Sequence, residues 1–278
     1  MTHSKPAQVA VLVTSYNRRA LTLASIKSAL CQADTTLSVR VVLVDAGSTD
    51  GTVEALSGLP GVQVVKEASN IYWNAGMRRA WLLALEEPSD FYMWLNDDLE
   101  LRSGTLRSML QLYEKSGSVR TIIVGKTVCP SSSTVSYGGY RRASRWSRIR
   151  WKRLEPNESS CDTMNGNCVL IPHQATQDVG VNSAVFRHGF GDIDYGMRAK
   201  KRGYDILQLE TPVGEQERNI AHVYNGAKIN FTWKNVLQVF SDPKGIPFLE
   251  WLYFCIRHAG PLWPANFVSR YVKVFRLF

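Results

Sequence analysis

The sequence predicts an α/β fold in which helices flank a mainly parallel central sheet. Two β-branched apolar runs, VAVLVTSY (9–16) and VRVVLVDAG (39–47), are typical of strands buried on both faces. Between them, leucine and isoleucine recur at roughly helical spacing from Leu21 to Leu30. Strands that alternate with helices form βαβ units, whose ligands bind beyond the carboxyl ends of the strands.

The same alternation continues along the chain, and each further element has its own signal. In order we expect a short helix after the Ser48-Thr49-Asp50 capping signal, a strand at 62–67, a helix at 74–87, a strand at 91–96, a helix at 106–114, a strand at 121–126, strand-like sequence at 164–172 and a helix at 192–201. The polar segment 131–160, in which arginine alternates with tyrosine and tryptophan, is expected to be a mobile surface loop. The stretch 248–278 mixes aromatic, apolar and basic residues.

Composition narrows the functional classes. With 278 residues, 45% of them hydrophobic, the chain can form one large domain or one domain with an appendage. No apolar run approaches the ~20 residues of a membrane-spanning helix, and MTHSKPAQ lacks a secretory signal, so a cytoplasmic location is expected. Five cysteines without a C-x-x-C pair indicate reduced thiols. The net charge of +9 favours an acidic partner.

Acidic side chains follow two of the predicted strands. Asp45 ends one strand, and Asn96, Asp97 and Asp98 end another. Such residues are common in solvated turns, which is the alternative explanation for either stretch alone. Because the carboxyl ends of parallel strands meet at one rim of the sheet, the two stretches together favour a ligand site.

Four motifs, in this order, resemble the inverting family 2 glycosyltransferases of GT-A fold, in the rhamnosyltransferase-like bacterial branch. They are VTSYNRR (13–19), DAGSTDGT (45–52), NDDLEL (96–101) and GDIDYGMRAKKRGY (191–204). The resemblance covers about residues 8–235. It implies a GT-A domain at 1–235, with a donor half at about 8–127 and an acceptor half at about 128–235, followed by an aromatic and basic appendage at 236–278.

The resemblance also implies a donor site. A departing nucleoside diphosphate needs its charge neutralised, and Mg²⁺ or Mn²⁺ held by carboxylate oxygens can do this. Asp98 is the expected metal ligand, and His222 is either a second ligand or a structural histidine. The residues expected to bind the nucleotide, sugar or acceptor are Thr14, Tyr16, Asn17, Arg18, Asp45, Asn74, Gly76, Asn96, Asp97 and Asn165.

An inverting transferase needs a base that removes the proton from the attacking acceptor hydroxyl. Asp192 matches the base position of the family motif, although Gly191 stands where the family has glutamate. Asp194 is the other candidate, but it lies four residues before Arg198, where a helical salt bridge is expected. We therefore favour Asp192.

The implied function is metal-dependent transfer of a sugar from a UDP- or dTDP-sugar to a surface glycan. A glycan linked to a lipid carrier is included among the expected acceptors. The basic aromatic segment and the tail also suit peripheral binding to an anionic membrane surface. One alternative, a sugar-phosphate nucleotidyltransferase, should carry a glycine-rich phosphate loop that TSYNRRALTL lacks. The other, a non-catalytic nucleic-acid-binding protein, leaves the acidic rim unexplained, so no nucleic acid is expected as partner.

Overall fold

The computed structural model describes residues 5–69, 71–155, 157–218, 232 and 240–275. At its centre, within these ranges, lies a seven-stranded sheet. From edge to edge its strands are β12 (Asp205–Gln208), β5 (Thr121–Val124), β11 (Cys168–Pro172), β4 (Phe91–Leu95), β1 (Ala7–Ser15), β2 (Leu37–Asp45) and β3 (Val62–Lys66). Only β11 runs antiparallel to its neighbours in this sheet, so the predicted mainly parallel sheet is confirmed.

Helices cover both faces of the sheet, as predicted for the α/β class. Those of the described ranges are α1 (Arg19–Leu30), α2 (Thr52–Leu56), α3 (Trp73–Ala84), α4 (Thr105–Lys115), α5 (His173–Asp178), α6 (Gly191–Lys201), α7 (Phe248–His258) and α8 (Trp263–Phe275). Across these ranges, none of the helices combines the length and hydropathy that crossing a bilayer requires.

Successive side chains of β1 point to opposite faces and enter two separate cores. Leu12 packs in one cluster with Trp81 of α3, whereas Val11 packs in the other with Ile26 of α1. All four are fully buried. Burying a large apolar side chain stabilises a fold by about 1.5–3 kcal/mol, which explains the continuous apolar runs in the strands.

Helix α3 approaches the sheet closely at one glycine. A Cβ atom added to Gly76 would lie 2.2 Å from Thr14 Oγ1 and 2.8 Å from Thr14 Cβ. The missing side chain therefore allows the first turn of α3 to lie against the carboxyl end of β1. This contact brings α3 to the rim where the acidic residues gather.

The expectation of a mobile loop at 131–160 is wrong, because this segment contains strands. Two three-stranded sheets form beside the main one within the described ranges. Their strands are β6 (Thr127–Val128), β7 (Val135–Tyr137), β8 (Gly139–Arg142), β9 (Trp151–Arg153), β10 (Thr163–Met164) and β13 (Gly214–Glu215). Arg153 donates to the backbone oxygens of Val135 and Ser136, and Ser147 donates to Asn266 of α8. Arg153 thus holds two strands of the segment together, and Ser147 joins the segment to α8.

The C-terminal helices share a core with the second half of the domain. Trp251 and Phe254 of α7 cluster with Tyr271 of α8, and the same cluster includes Phe186 and Met197. The predicted boundary near residue 235 lies outside the described residues.

Candidate active site

The carboxyl ends of β1, β2 and β4 bring the predicted acidic residues to one rim. Ser15 of β1 lies in register with Asp45 of β2, and β4 ends at Leu95, one residue before Asn96. Asp97 and Asp98 follow in the turn. The parallel order of these strands therefore creates the convergence expected from the sequence.

Arg18 bridges the two carboxylates of this turn. Its Nη1 lies 3.2 Å from Asp97 Oδ1 and 3.0 Å from Asp98 Oδ2. The Gln216 side-chain amide donates to the other oxygen of Asp98. Burial, aided by the Asp98 charge and opposed by Arg18, raises the pKa of Asp97 to about 6. The guanidinium of Arg18 thus does not fully offset the burial of Asp97.

The donor set of this turn suits a hard divalent cation. Carboxylate oxygens are the ligands that Mg²⁺ and Mn²⁺ prefer, and Asp97 and Asp98 supply them side by side in one turn. Within the described residues, no group of three or more His, Cys, Asp or Glu side chains gathers for a metal. The predicted ligand His222 lies outside the described residues. The residues present fit a cation that takes few ligands from the protein and the rest from phosphate and water.

Asp45 has one occupied and one unoccupied carboxylate oxygen. Its Oδ1 accepts from the backbone N–H groups of Gly47 (3.1 Å) and Ser48 (2.8 Å), which shapes the turn after β2. Its Oδ2 is buried, and no hydrogen-bond donor reaches it from the described residues. A buried acceptor without a donor is rare enough to require an explanation, and a bound N–H group would supply one.

The turn after β1 is fastened to the turn after β2. Asn17 adopts a left-handed backbone (φ 50°), its N–H donates to Ser48 Oγ at 2.8 Å, and its Oδ1 accepts from Thr49 N at 2.8 Å. Tyr16 beside it is 51% exposed, whereas Thr14 is almost buried under Gly76. Of these predicted ligand contacts, Tyr16 is the one whose ring is open to a ligand.

Asn74 lies in the interior rather than on the rim surface. Its Nδ2 donates to the backbone oxygens of Ser183 (2.9 Å) and Phe186 (2.6 Å), and its Oδ1 accepts from Asn182. A Cβ atom added to Gly191 would lie 1.8 Å from Asn74 Oδ1. This lack of space explains why glycine replaces the family's glutamate there. In this structure the amide of Asn74 holds the 182–186 segment in place.

Asp192 stands at the start of α6 with both oxygens oriented. Its Oδ2 accepts from Gly166 N at 3.0 Å, its Oδ1 accepts from Ile193 N at 2.8 Å, and the Asn165 side chain also hydrogen-bonds to it. Burial raises the pKa of Asp192 in spite of these hydrogen bonds. A carboxylate with a raised pKa takes up a proton more readily, as a general base must.

Asp192 faces a cavity of about 520 Å³ with aromatic walls. Asn96 lines the same cavity, and Trp73 Nε1 donates to its Oδ1 at 2.9 Å. The aromatic side chains around the cavity are Trp73, Tyr137, Tyr140, Trp151, Phe190, Trp251 and Phe254. Flat apolar rings with a few polar groups between them suit the carbon faces and hydroxyl groups of a sugar.

Sequence reasoning missed these aromatic walls. Trp251, Phe254 and Arg270 come from α7 and α8, which were expected to form an appendage outside the domain. The interleaved aromatic and basic residues of 140–153 and 248–278 were the available signal. They were interpreted as a membrane signal, although several of them line the cavity.

Asp194 does not face this cavity. It is fully buried and accepts from Arg198 Nε at 2.8 Å, as predicted, and from His258 Nε2 at 2.7 Å. Burial alone would raise its pKa, but His258, Arg198 and Arg257 hold the pKa of Asp194 below its ordinary value. Asp194 is therefore a structural anion that joins α6 to α7.

Comparisons with known proteins agree with this geometry. The family model "Glycosyl transferase family 2" matches residues 10–170. An N-acetylglucosaminyl-diphospho-decaprenol L-rhamnosyltransferase of Mycobacterium tuberculosis is 26% identical over an alignment of 209 residues that covers 66% of this chain and 67% of that protein.

Solved structures share the fold. A crystal structure of S. aureus TarS residues 1–349 with UDP-GlcNAc has a TM-score of 0.55 and 15% identity, and the match covers 77% of this chain and 59% of that one. GalNAc-T7 with UDP, GalNAc and Mn²⁺ has a TM-score of 0.60 and 16% identity, with coverage of 91% and 50%. The chain thus spans 59% and 50% of these two solved chains. Because the family model covers more than half of the chain, the protein belongs to glycosyl transferase family 2 and has the GT-A fold.

Proposed function

We propose that the protein is a cation-dependent, inverting transferase that moves one sugar from a UDP- or dTDP-sugar to a surface-glycan acceptor. One observation carries this proposal: Asp192 and Asn96 line the same cavity, and Asn96 begins the acidic turn of Asp97 and Asp98. A base and a diphosphate-binding turn therefore meet where donor and acceptor would meet.

On the donor side, Asp45 Oδ2 would accept an N–H of the base, and the exposed ring of Tyr16 would lie against the nucleoside. Asp98, with Asp97 beside it, would hold Mg²⁺ or Mn²⁺. When bound, the cation supplies positive charge that stabilises the leaving diphosphate. Arg18, already 3.0 Å from Asp98, adds a permanent positive charge at the same place.

On the acceptor side, Asp192 would take the proton of the attacking hydroxyl. The backbone N–H groups of Gly166 and Ile193 fix its orientation. The acceptor hydroxyl would attack the anomeric carbon from the side of Asp192 while the nucleoside diphosphate leaves toward Asp98. Because the hydroxyl attacks the face opposite the leaving diphosphate in one step, the configuration of the anomeric carbon inverts. The aromatic walls would pack against the faces of the acceptor sugar.

The names of similar proteins support the substrate classes. The TarS structure contains UDP-GlcNAc, and the GalNAc-T7 structure contains UDP, GalNAc and Mn²⁺. The mycobacterial relative is named for rhamnosyl transfer and for an acceptor that joins N-acetylglucosamine to a lipid through a diphosphate. We extend the proposal to a lipid-linked acceptor on this basis.

A lipid-linked acceptor would require a peripheral position on an anionic membrane, on the cytoplasmic side. Trp146, Leu249 and Ile256 are 73%, 74% and 56% exposed, and Trp146 lies within the arginine-rich segment 141–150. Each basic residue near an anionic surface contributes about 1 kcal/mol to binding. Sedimentation should show binding to phosphatidylglycerol vesicles that falls as salt rises; failure to bind them at low salt contradicts this part of the proposal.

The donor part is tested without an acceptor. Thermal unfolding is measured with UDP- and dTDP-sugars, each with Mn²⁺, Mg²⁺ or a chelator. At least one nucleotide sugar should raise the melting temperature, and the chelator should reduce the shift. If neither nucleotide class stabilises the protein with either metal, the proposed function is wrong.

A further inference from the structure

A second cavity, of about 670 Å³, adjoins the cavity that Asp192 faces. Ile149, Trp251 and Arg270 line both cavities and form the wall between them. An acceptor whose hydroxyl lies at Asp192 and whose body extends beyond one sugar would therefore pass Arg270.

Arg270 is held in place by aromatic rings. Its guanidinium carbon lies 4.5 Å from the ring centre of Trp251 and 5.1 Å from that of Phe190. The Trp251 ring is itself fixed, since its Nε1 donates to Phe267 O at 3.2 Å. Stacking uses the faces of a guanidinium, whereas its N–H groups lie at the edges, in the geometry that binds phosphate oxygens.

The chemistry of the second cavity favours an anion. Among its described lining residues, two are arginines, Arg150 and Arg270, and none is acidic. Hydroxyl and amide groups accompany them, including Ser147 and Asn266. Guanidinium groups bind phosphate oxygens through short, charge-assisted hydrogen bonds.

The same cavity also has apolar lining residues that reach solvent. Trp146 and Leu262 line it and are 73% and 49% exposed. The second cavity, next to the aromatic cavity that Asp192 faces, thus combines cationic side chains with exposed apolar ones.

We propose that the second cavity binds the phosphate or diphosphate ester of the acceptor, with Arg270 and Arg150 as its contacts. The acceptor sugar then lies in the first cavity, and the apolar part leaves past Trp146 and Leu262. This assignment rests on the proposed function, because it takes Asp192 as the acceptor side of the site. The ester is held and is not cleaved.

The test uses two synthetic probes that differ only in the charged group. One is N-acetylglucosamine joined to an octyl chain through a diphosphate, and the other is octyl N-acetylglucosaminide. Calorimetry at fixed ionic strength compares the affinity of each probe for the wild-type chain and for the variants Arg270→Gln and Arg150→Gln. Arg145→Gln is the control, since Arg145 lies in the same basic segment and lines neither cavity.

The wild type should bind the diphosphate probe at least about tenfold more tightly than the glycoside, a difference of about 1.4 kcal/mol. Arg270→Gln should remove most of this preference, Arg150→Gln part of it, and Arg145→Gln should retain it. Equal affinity for the two probes in the wild type, or a full preference in Arg270→Gln, overturns the proposal. If Arg270→Gln does not fold, Arg150→Gln decides by the same criterion.

Nucleotide binding, measured in the same preparations, separates this assignment from the proposed function. Equal affinity of the wild type for the two probes, with intact UDP or dTDP binding, contradicts only the ester site. Failure of every nucleotide to bind contradicts the proposed function, and the probe preference is judged independently.

Discussion

His258 of α7 donates from Nε2 to Asp194 Oδ1 of α6 across 2.7 Å, with both side chains fully buried. Helix α6 begins at Gly191, and Asp192 follows it, two positions before Asp194. The pair therefore ties the helix that positions the candidate base to the C-terminal helices that line its cavity. The C-terminal helices are in this sense part of the site.

The first prediction concerns the energy of this pair. His258→Ala removes a hydrogen bond to a buried carboxylate and should lower the free energy of unfolding by about 1.5–3 kcal/mol, measured by urea denaturation. Arg257→Gln is the matched control. Arg257 is 34% exposed and lies 3.5 Å from the same carboxylate, so its loss should cost less than about 1 kcal/mol. Similar losses in the two variants would contradict the role of His258.

The second prediction is a pH dependence of stability that His258 causes. Burial, with the charges of Lys201 and Arg257, lowers the pKa of His258 in spite of the opposing effect of Asp194. In the unfolded chain His258 has its ordinary pKa of 6.5, so it takes up a proton as the pH falls through that value. In the folded chain His258 takes up this proton only at a lower pH. Stability should fall as the pH drops from 7 to 5, by at most about 1.4 kcal/mol per unit for this group.

Urea denaturation across this pH range checks the second prediction. His258→Gln should show a shallower decline than the wild type. Asp194, whose pKa is also held low, loses its contribution only in stronger acid, so it does not mask the effect. An equal decline in the free energy of unfolding of the two proteins would show that protonation of His258 does not cause the pH dependence.

The third prediction concerns Asp98. Asp98→Asn should abolish transfer and weaken metal-dependent binding of the nucleoside diphosphate at least tenfold, because it removes the expected cation ligand. The melting temperature should change little, since the residue lies on the rim. Glu100→Gln, an exposed change in the same segment, should retain activity. A folded Asp98→Asn protein with near-normal turnover contradicts the proposed donor site.

The fourth prediction separates Asp192 from Asp194. Asp192→Asn should keep donor affinity and lower turnover by about 10²–10⁴-fold, the usual contribution of a general base. Asp194→Asn should lower stability more than turnover per folded molecule. Since burial raises the pKa of Asp192 above its ordinary 3.8, the wild-type rate should fall with acid at a pH above that value. Unchanged turnover in Asp192→Asn would place the base elsewhere.

The sequence predicted the elements whose burial is periodic and local. Strands β1, β2 and β4 are runs of apolar residues that fill two cores. Because these strands run parallel, the sequence was enough to place Asp45 and Asp98 on one rim. Helix α3 was expected at 74–87 and spans Trp73–Ala84. Such elements can be predicted from the local sequence pattern, because the burial of side chains repeats with the period of the strand or helix.

Features that depend on distant partners could not be predicted. Asn74 was expected at the ligand, but it bonds to residues more than 100 positions away. The segment 131–160 was expected to be a mobile loop, although Arg153 joins two of its strands. The Asp194–His258 pair spans 64 residues, and neither residue signals the other in the sequence. Long-range hydrogen bonds leave no local periodicity, so only the folded chain shows them.

The stereochemistry of the product tests the central claim most directly. With a nucleotide sugar that stabilises the protein, transfer to a small alcohol acceptor is followed by proton NMR, and the anomeric configuration of the glycoside is compared with that of the donor. A single displacement driven by Asp192 predicts the opposite configuration in the product, formed by the wild type and nearly absent with Asp192→Asn. A product with the donor's configuration would contradict a base at Asp192 and the inverting mechanism with it.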